Sequence, residues 1–416
     1  MMQDDPQRQG ESQAGKSRQT IGAGGRPGCG GHGHSRLSFE GDTPILSNRS
    51  PPVIHFATVK LGVVLFQLGG PDSPQAIEPF LYNLFCDPDI IDFPFARIAR
   101  QPLAKLISVT RAKHVAHHYA AIGGKSPILQ NTMRQAAALE AELRRDGDAR
   151  VTVAMRYWKP FTLQAIQELE RHAPDEVVLL PLYPQYSKTT TGSSLNEWRR
   201  RWKQRPDGPR VHVIEAFHTD AAYLDALVER IGASLAQFEN PADVDVIFSA
   251  HSVPLAVIEA GDPYQRQIEE TVRLVWERGG WRGRQHLCYQ SKVGASRWLR
   301  PSMHETIRRL AAEGRKHILV APISFVSDHV ETLHEIDIEH RAQARELGIL
   351  DYRMAPGLND SPAFIRALAR LVRAQVERSR KETHSSAARA RQKGIASEGS
   401  GTSVSTLTEK DSSEGA

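Results

Sequence analysis

Short β-branched runs alternating with amphipathic stretches constrain this chain more than any other feature. The runs lie at Leu61–Phe66, Val151–Met155, Val177–Leu182, Val211–Ile214, Val244–Phe248 and Ile318–Ile323. Each has the length of a buried strand. Between them, Phe161–His172 carries Leu163, Ile166 and Leu169 on one helical arc, and Met303–Glu313 carries Ile307 and Leu310 in the same way. Both helices follow a proline, whose preset φ suits a first helical turn. Such alternation predicts an α/β fold with a parallel sheet covered on both faces.

The pattern also repeats. Met155 to Pro160, a helix and Val177–Pro181 are echoed by Cys288 to Pro301, a helix and Ile318–Pro322. Pro160 to Pro181 and Pro301 to Pro322 span the same 21 positions. Two similar α/β domains are expected, with a ligand cleft at the carboxyl ends of their strands.

The 416-residue chain is 40% apolar, enough for two ordinary cores. Its net charge of +5 is too small and too dispersed for a nucleic-acid binder. Three cysteines (Cys29, Cys86, Cys288) without a Cys-x-x-Cys pair point away from disulfides and thiolate metal sites, and a reducing cytoplasmic setting is expected. No secretory signal or membrane-length apolar run is seen. Residues 1–57 and 380–416 are rich in Gly, Ser and charge and are expected to be disordered tails. Cys29, His32 and His34 in the first are read as tail rather than site.

Three strand ends draw attention. Gln67-Leu68-Gly69-Gly70-Pro71 is a glycine turn without the spacing of a phosphate loop, and Pro71 lacks an amide. It reads as backbone close to a flat ligand or as a tight turn. Ser249-Ala250-His251-Ser252 places His251 on the rim of the second domain, either as a structural histidine or as a functional one. After the last core strand, Glu331, Glu335 and Glu339 recur every four residues on one helix face, with Val330, Leu333 and Ile336 opposite. Like charges at that spacing repel by roughly 0.2–0.5 kcal/mol per pair, so helix formation does not call for them. The face is either a solvated one, with Asp328 and Glu331 forming a capping-box start, or the border of a cleft that hands on protons or metal ions.

Taken together, the motifs resemble the ferrochelatase family from about Lys60 to Arg378. The matching segments are Leu68-Gly69-Gly70-Pro71 with Pro79 to Phe85, Ile122 to Ile128, Met155-Arg156-Tyr157, Tyr183 to Ser187 with Thr191 to Ser194, Ser249 to Ser252, Gln290 to Gly294, and Ser327 to Thr332. The resemblance implies two Rossmann-like, chelatase-type domains, 58–213 and 214–361, with a helix over 362–379 packing back on the first and a porphyrin cleft between them. It also implies that His251 and Glu331 are the catalytic, metal-facing pair and that Asp328, Glu335 and Glu339 form an acidic path for protons or metal. Leu68, Arg111, Arg156, Tyr183 and Trp298 would be porphyrin-binding positions.

The implied activity is insertion of Fe²⁺ into protoporphyrin IX to give protohaem, the lyase step that ends haem biosynthesis. The implied partners are porphyrin and ferrous iron. Two departures refine this. Family members with a [2Fe–2S] cluster ligate it mostly through C-terminal cysteines, whereas none follows Glu313 here and Lys188 stands at another ligand position. No cluster and no cofactor beyond substrate Fe²⁺ are therefore expected. Members that use coproporphyrin typically carry Tyr where Leu68 stands, which favours protoporphyrin. Coproporphyrin or another tetrapyrrole as substrate, and a non-catalytic porphyrin carrier, remain alternatives. Residues 92–111 mix apolar and basic side chains, so a lip resting on a membrane and an ordinary packed helix are both open. The sequence leaves oligomeric state undetermined.

Overall fold

The computed structural model describes residues 59–90, 96–203, 206–291 and 296–398. The expected tail 1–57 with Cys29, His32 and His34 lies outside the described residues. So do 91–95 of the expected lip, 292–295 of one quoted motif, and 399–416.

Strands β1 (Leu61–Gln67), β2 (Ala149–Met155), β3 (Glu176–Pro181) and β4 (Arg210–Val213) form one parallel sheet in the order β2-β1-β3-β4. Strands β5 (Asp245–His251), β6 (Arg284–Gln290), β7 (His317–Pro322) and β8 (Asp351–Met354) repeat that order as β6-β5-β7-β8, again all parallel. β1 and β3 are buried along their whole length, which is why they read as unbroken apolar runs rather than as an alternation.

The repeat is visible in detail. The Met155 N–H donates to the Pro160 carbonyl at 2.7 Å and the Tyr289 N–H to the Pro301 carbonyl at 2.9 Å. Both helices follow a proline as expected, with Pro160 and Pro301 directly before the N-caps Phe161 and Ser302. The helices start on other devices. Ser302 and Glu305 form a reciprocal capping box, while the Phe161 N–H donates to Gln164 Oε1 at 2.7 Å.

The sheets are covered by α1 (Ile77–Phe85), α2 (Ala96–Ala121), α3 (Ile128–Leu143), α4 (Thr162–His172), α5 (Ser193–Arg201), α6 (Ala221–Leu235), α7 (Leu255–Glu259), α8 (Tyr264–Gly279), α9 (Met303–Ala312), α10 (His340–Glu346) and α11 (Pro362–Glu398). One continuous core takes side chains from both sheets, including Leu65, Val178, Phe248 and Leu319. α11 adds Phe364, Leu368, Val372 and Val376, and lies against α3, β3, β4 and α6. It runs on to Glu398 where 380–398 was expected to be a disordered tail. That stretch has little to bury but is rich in Ala, Arg, Lys and Glu, which favour helix without any core contact.

Candidate active site

His251 ends β5, where the strand leaves the sheet. Its backbone is held from two sides. The His251 N–H donates to Ser324 Oγ at 2.9 Å, and the Tyr264 hydroxyl donates to the His251 carbonyl at 2.9 Å. The imidazole Nδ1 stands 2.8 Å from Glu331 Oε2. With Nδ1–H donated to that carboxylate, Nε2 is left as the lone-pair nitrogen. The His251 side chain keeps 37% of its surface exposed and Glu331 22%, so the pair is accessible.

Glu331 opens a π-helical segment, Glu331–Glu339, that follows β7. The expectation of an α-helix is corrected here. The wider i→i+5 turn keeps residues four apart on nearly the same face, so it is distance along the axis that separates the last glutamate from the first. Glu335 stays with the pair: Ser291 donates its N–H to Glu335 Oε1 at 2.9 Å, and its hydroxyl reaches Glu335 Oε2 and, at 3.3 Å, Glu331 Oε2. Glu339 is elsewhere, 3.9 Å from His118 Nε2 and 3.7 Å from His334 Nδ1. Asp328 is occupied by the backbone: its carboxylate accepts from the Gly357 N–H at 3.0 Å and Asn359 Nδ2 at 2.7 Å, and from the Thr332 hydroxyl at 3.3 Å. It neither makes a capping box with Glu331 nor touches His251.

Burial alone would lower the His251 pKa, but the Glu331 carboxylate, with Glu335 behind it, more than reverses this and holds it above the ordinary histidine value. Desolvation alone would likewise raise Glu331, yet His251 and then His329 keep it well below the carboxylate range. Glu335 is pushed up, first by burial and then by the Glu331 charge, against the pull of the Ser291 hydrogen bonds. The His251–Glu331 pair is thus biased towards its charged forms, while Glu335 beside it is biased towards its neutral one.

The other expected residues lie around the carboxyl ends of the first sheet. Arg156 follows β2 and is committed to a buried network: it reaches Asp87 Oδ1 at 2.9 Å and Ser193 Oγ at 2.8 Å. Asp87, wholly buried, also accepts from the Tyr157 and Ser193 hydroxyls. Tyr183 is buried; desolvation raises its phenol pKa, and the charges of Arg156 and Asp87 act on it in opposite senses. Arg111 is half-buried on α2, with no carboxylate partner among the described residues. Leu68 packs against the cluster of Ile77, Phe80, Leu81, Tyr119 and Tyr157, which Val330 from the second half also joins. Trp298 is bridged to Pro254, three residues past His251. Gly69 has a φ of +86°, and a Cβ at Gly70 would come within 2.7 Å of Ser126. Packing within the protein shapes the glycine turn.

Ser291, Ser324 and Tyr264 were not picked out from the sequence as site residues. The one signal for Ser291 was its place in a motif directly after β6. It adopts φ +60°, a left-handed conformation that is uncommon for a side-chain-bearing residue and is held here by its bonds to the glutamates.

A partly exposed imidazole–carboxylate pair at the carboxyl end of one parallel sheet and a buried arginine network at the carboxyl end of the other mark an α/β protein with polar groups gathered at the strand ends of two repeated units. The ferrochelatase family model matches residues 60–376, and the chain belongs to the ferrochelatase family. It is a metal chelatase of haem synthesis, an enzyme of the lyase class with ferrous iron as substrate. The ferrochelatase of Aquifex aeolicus is 48% identical over 319 residues, covering 76% of this chain and all of that one. That of Geotalea daltonii is 48% identical over 316 residues, covering 76% and 97%. That of Synechocystis is 44% identical over 317 residues, covering 75% and 82%.

Proposed function

We propose that the chain inserts Fe²⁺ into protoporphyrin IX, with His251 and Glu331 as the reacting pair. The observation that carries this is the 2.8 Å contact between an accessible imidazole and a half-buried carboxylate held well below its ordinary pKa. Metallation requires Fe²⁺ to shed water, two pyrrole N–H protons to leave, and the ring to open its nitrogens to one face. The His251 Nε2 lone pair takes either a proton or the metal, and Glu331 keeps it basic. Glu335, joined to Glu331 through Ser291 and raised towards neutrality, accepts the proton next. Bending the macrocycle costs about 1–5 kcal/mol, drawn from contacts to the rest of the ring. In this reading Leu68, Tyr183 and Trp298 line the porphyrin, Arg111 meets a propionate, and Arg156 shapes the pocket wall.

The same reading takes 58–213 and 214–361 as two chelatase-type domains with α11 packed back on the first. It includes no [2Fe–2S] cluster: no cysteine follows Glu313, and Cys288 is fully buried with its thiol pushed up to about 12 by desolvation. It places the enzyme in the cytoplasm with α2 against a membrane surface. Ile98 is 83% exposed and Leu106 64%, and among the described residues no helix is long and apolar enough to cross a membrane.

The test is anaerobic Fe²⁺ insertion into protoporphyrin IX and coproporphyrin III in parallel, with His251→Ala and Glu331→Gln alongside. Wild type should prefer protoporphyrin, and each substitution should cut turnover by about 10²-fold or more. Preference for coproporphyrin would overturn the substrate assignment. Porphyrin binding without turnover would replace the enzyme by a carrier.

A further inference from the structure

We propose that His117, His118 and His334 form a second binding site, for a first-row divalent transition cation, separate from the His251–Glu331 pair. The three side chains come from two elements, α2 and the π-helical segment, and each offers a ligand atom within 4.8 Å of the other two. The His118 ring stacks on His334 with centroids 4.1 Å apart, and the His117 ring stands edge-on to His118 at 4.1 Å.

His334 supplies an independent observation. It is only 5% exposed, and its Nδ1 is buried without a hydrogen-bond partner. Leaving such a nitrogen unsatisfied is unfavourable, and a cation would satisfy it. Glu339 Oε1, 3.7 Å from that nitrogen and 3.9 Å from His118 Nε2, is too far to hydrogen-bond to either and stands ready as a fourth, anionic ligand.

Protonated imidazoles this close would repel, and the structure works against protonation. Burial and the neighbouring histidines lower the pKa of His118, and burial does the same for His334 against the opposing charge of Glu339. Neutral imidazoles are the ligand form. A tetrahedral ion with metal–nitrogen distances of about 2.0–2.1 Å needs nitrogens about 3.4 Å apart. Closing the set onto it asks the stacked His118 and His334 rings to turn their nitrogens towards a common point and His117, which is exposed, to join them. Three imidazoles and one carboxylate suit Zn²⁺, Co²⁺, Ni²⁺ or Fe²⁺ and are a poor match for Mg²⁺ or Ca²⁺. The inference stands whether or not His251 is the chelation centre.

The test uses the full chain, stripped of metal and titrated anaerobically with Co²⁺, read by visible absorption and by equilibrium competition with Zn²⁺. In the His251→Ala/Glu331→Gln background, tight Co²⁺ binding should persist and excess Mg²⁺ should not displace it. Adding His118→Ala with His334→Ala should weaken it by at least about 100-fold, the upper end of what loss of a mere supporting contact costs. Exposed His114, beside the cluster, serves as control, and His114→Ala should leave the affinity unchanged. Binding that survives the His118/His334 substitutions, as it would if Cys29, His32 and His34 held the ion, overturns the proposal. If those variants fail to fold, protection by Zn²⁺ of His117 and His118 from diethylpyrocarbonate, mapped in the wild-type chain, decides instead: no protection overturns the site.

Discussion

The Ser291 backbone N–H donates to Glu335 Oε1 at 2.9 Å, while its hydroxyl sits between the Glu335 and Glu331 carboxylates. Two acidic groups on one π-helical segment are thereby joined to the end of β6. Ser291→Ala removes the hydroxyl, so the Glu335 pKa should rise further and Fe²⁺ insertion should fall about 10-fold, the cost of one hydrogen bond to a charged group. Ser291→Gly keeps the N–H and relaxes the left-handed backbone. It should unfold at the same or higher temperature than wild type yet share the turnover defect; full activity in Ser291→Gly would assign the hydroxyl no role.

The His251–Glu331 pair predicts a pH signature with a definite sign. His251, raised when folded, contributes stability that is complete below its ordinary pKa of about 6.5 and is lost as pH climbs through the raised value. Glu331, lowered when folded, contributes above the ordinary carboxylate pKa and loses its share as pH falls through the depressed value. The melting-temperature gap between wild type and Glu331→Gln should therefore be widest between about pH 4.5 and 6.5 and should close above that range. An NMR titration of the His251 ring should show its midpoint lower in Glu331→Gln. A midpoint that does not move would break the coupling.

Arg156 and Asp87 form a charge pair with almost no access to water. Arg156→Met strands the Asp87 carboxylate and should destabilise the fold by about 3–5 kcal/mol in urea unfolding. The double variant Arg156→Met/Asp87→Asn should recover much of that loss. If Arg156→Met unfolds like wild type and only the KM for porphyrin rises, the guanidinium serves the ligand rather than the wall.

Gly70 is required by a neighbour. A Cβ there would meet Ser126 Cβ and Oγ at 2.7 Å and Ile128 Cγ2 at 3.1 Å. Gly70→Ala should cost about 1–3 kcal/mol, as overpacking does. Ser126→Gly in the same chain should return part of it, a coupling that a double-mutant cycle measures.

The fold class, the internal repeat and the strand-end position of His251 were all legible in the chain, because each is a local pattern. Buried strands such as β1 and β3 show as apolar runs, and equal Pro-to-Pro spacings mark equal strand–helix units. β6 and β8 escaped as strands: Arg284–Gln290 and Asp351–Met354 are edge strands without a single Val or Ile, so nothing in their composition sets them apart. The glutamates at 331, 335 and 339 were visible as a series, but only the packing of β6 and α2 along their segment decided that two of them meet Ser291 while the third lies near His118 and His334. Asp328 likewise looked like part of that series until Gly357 and Asn359 claimed its carboxylate. Periodicity reports which side of its own element a residue occupies. Which residues meet across the molecule depends on sheet order and helix packing, which bring α2 against a segment some two hundred positions later in the chain.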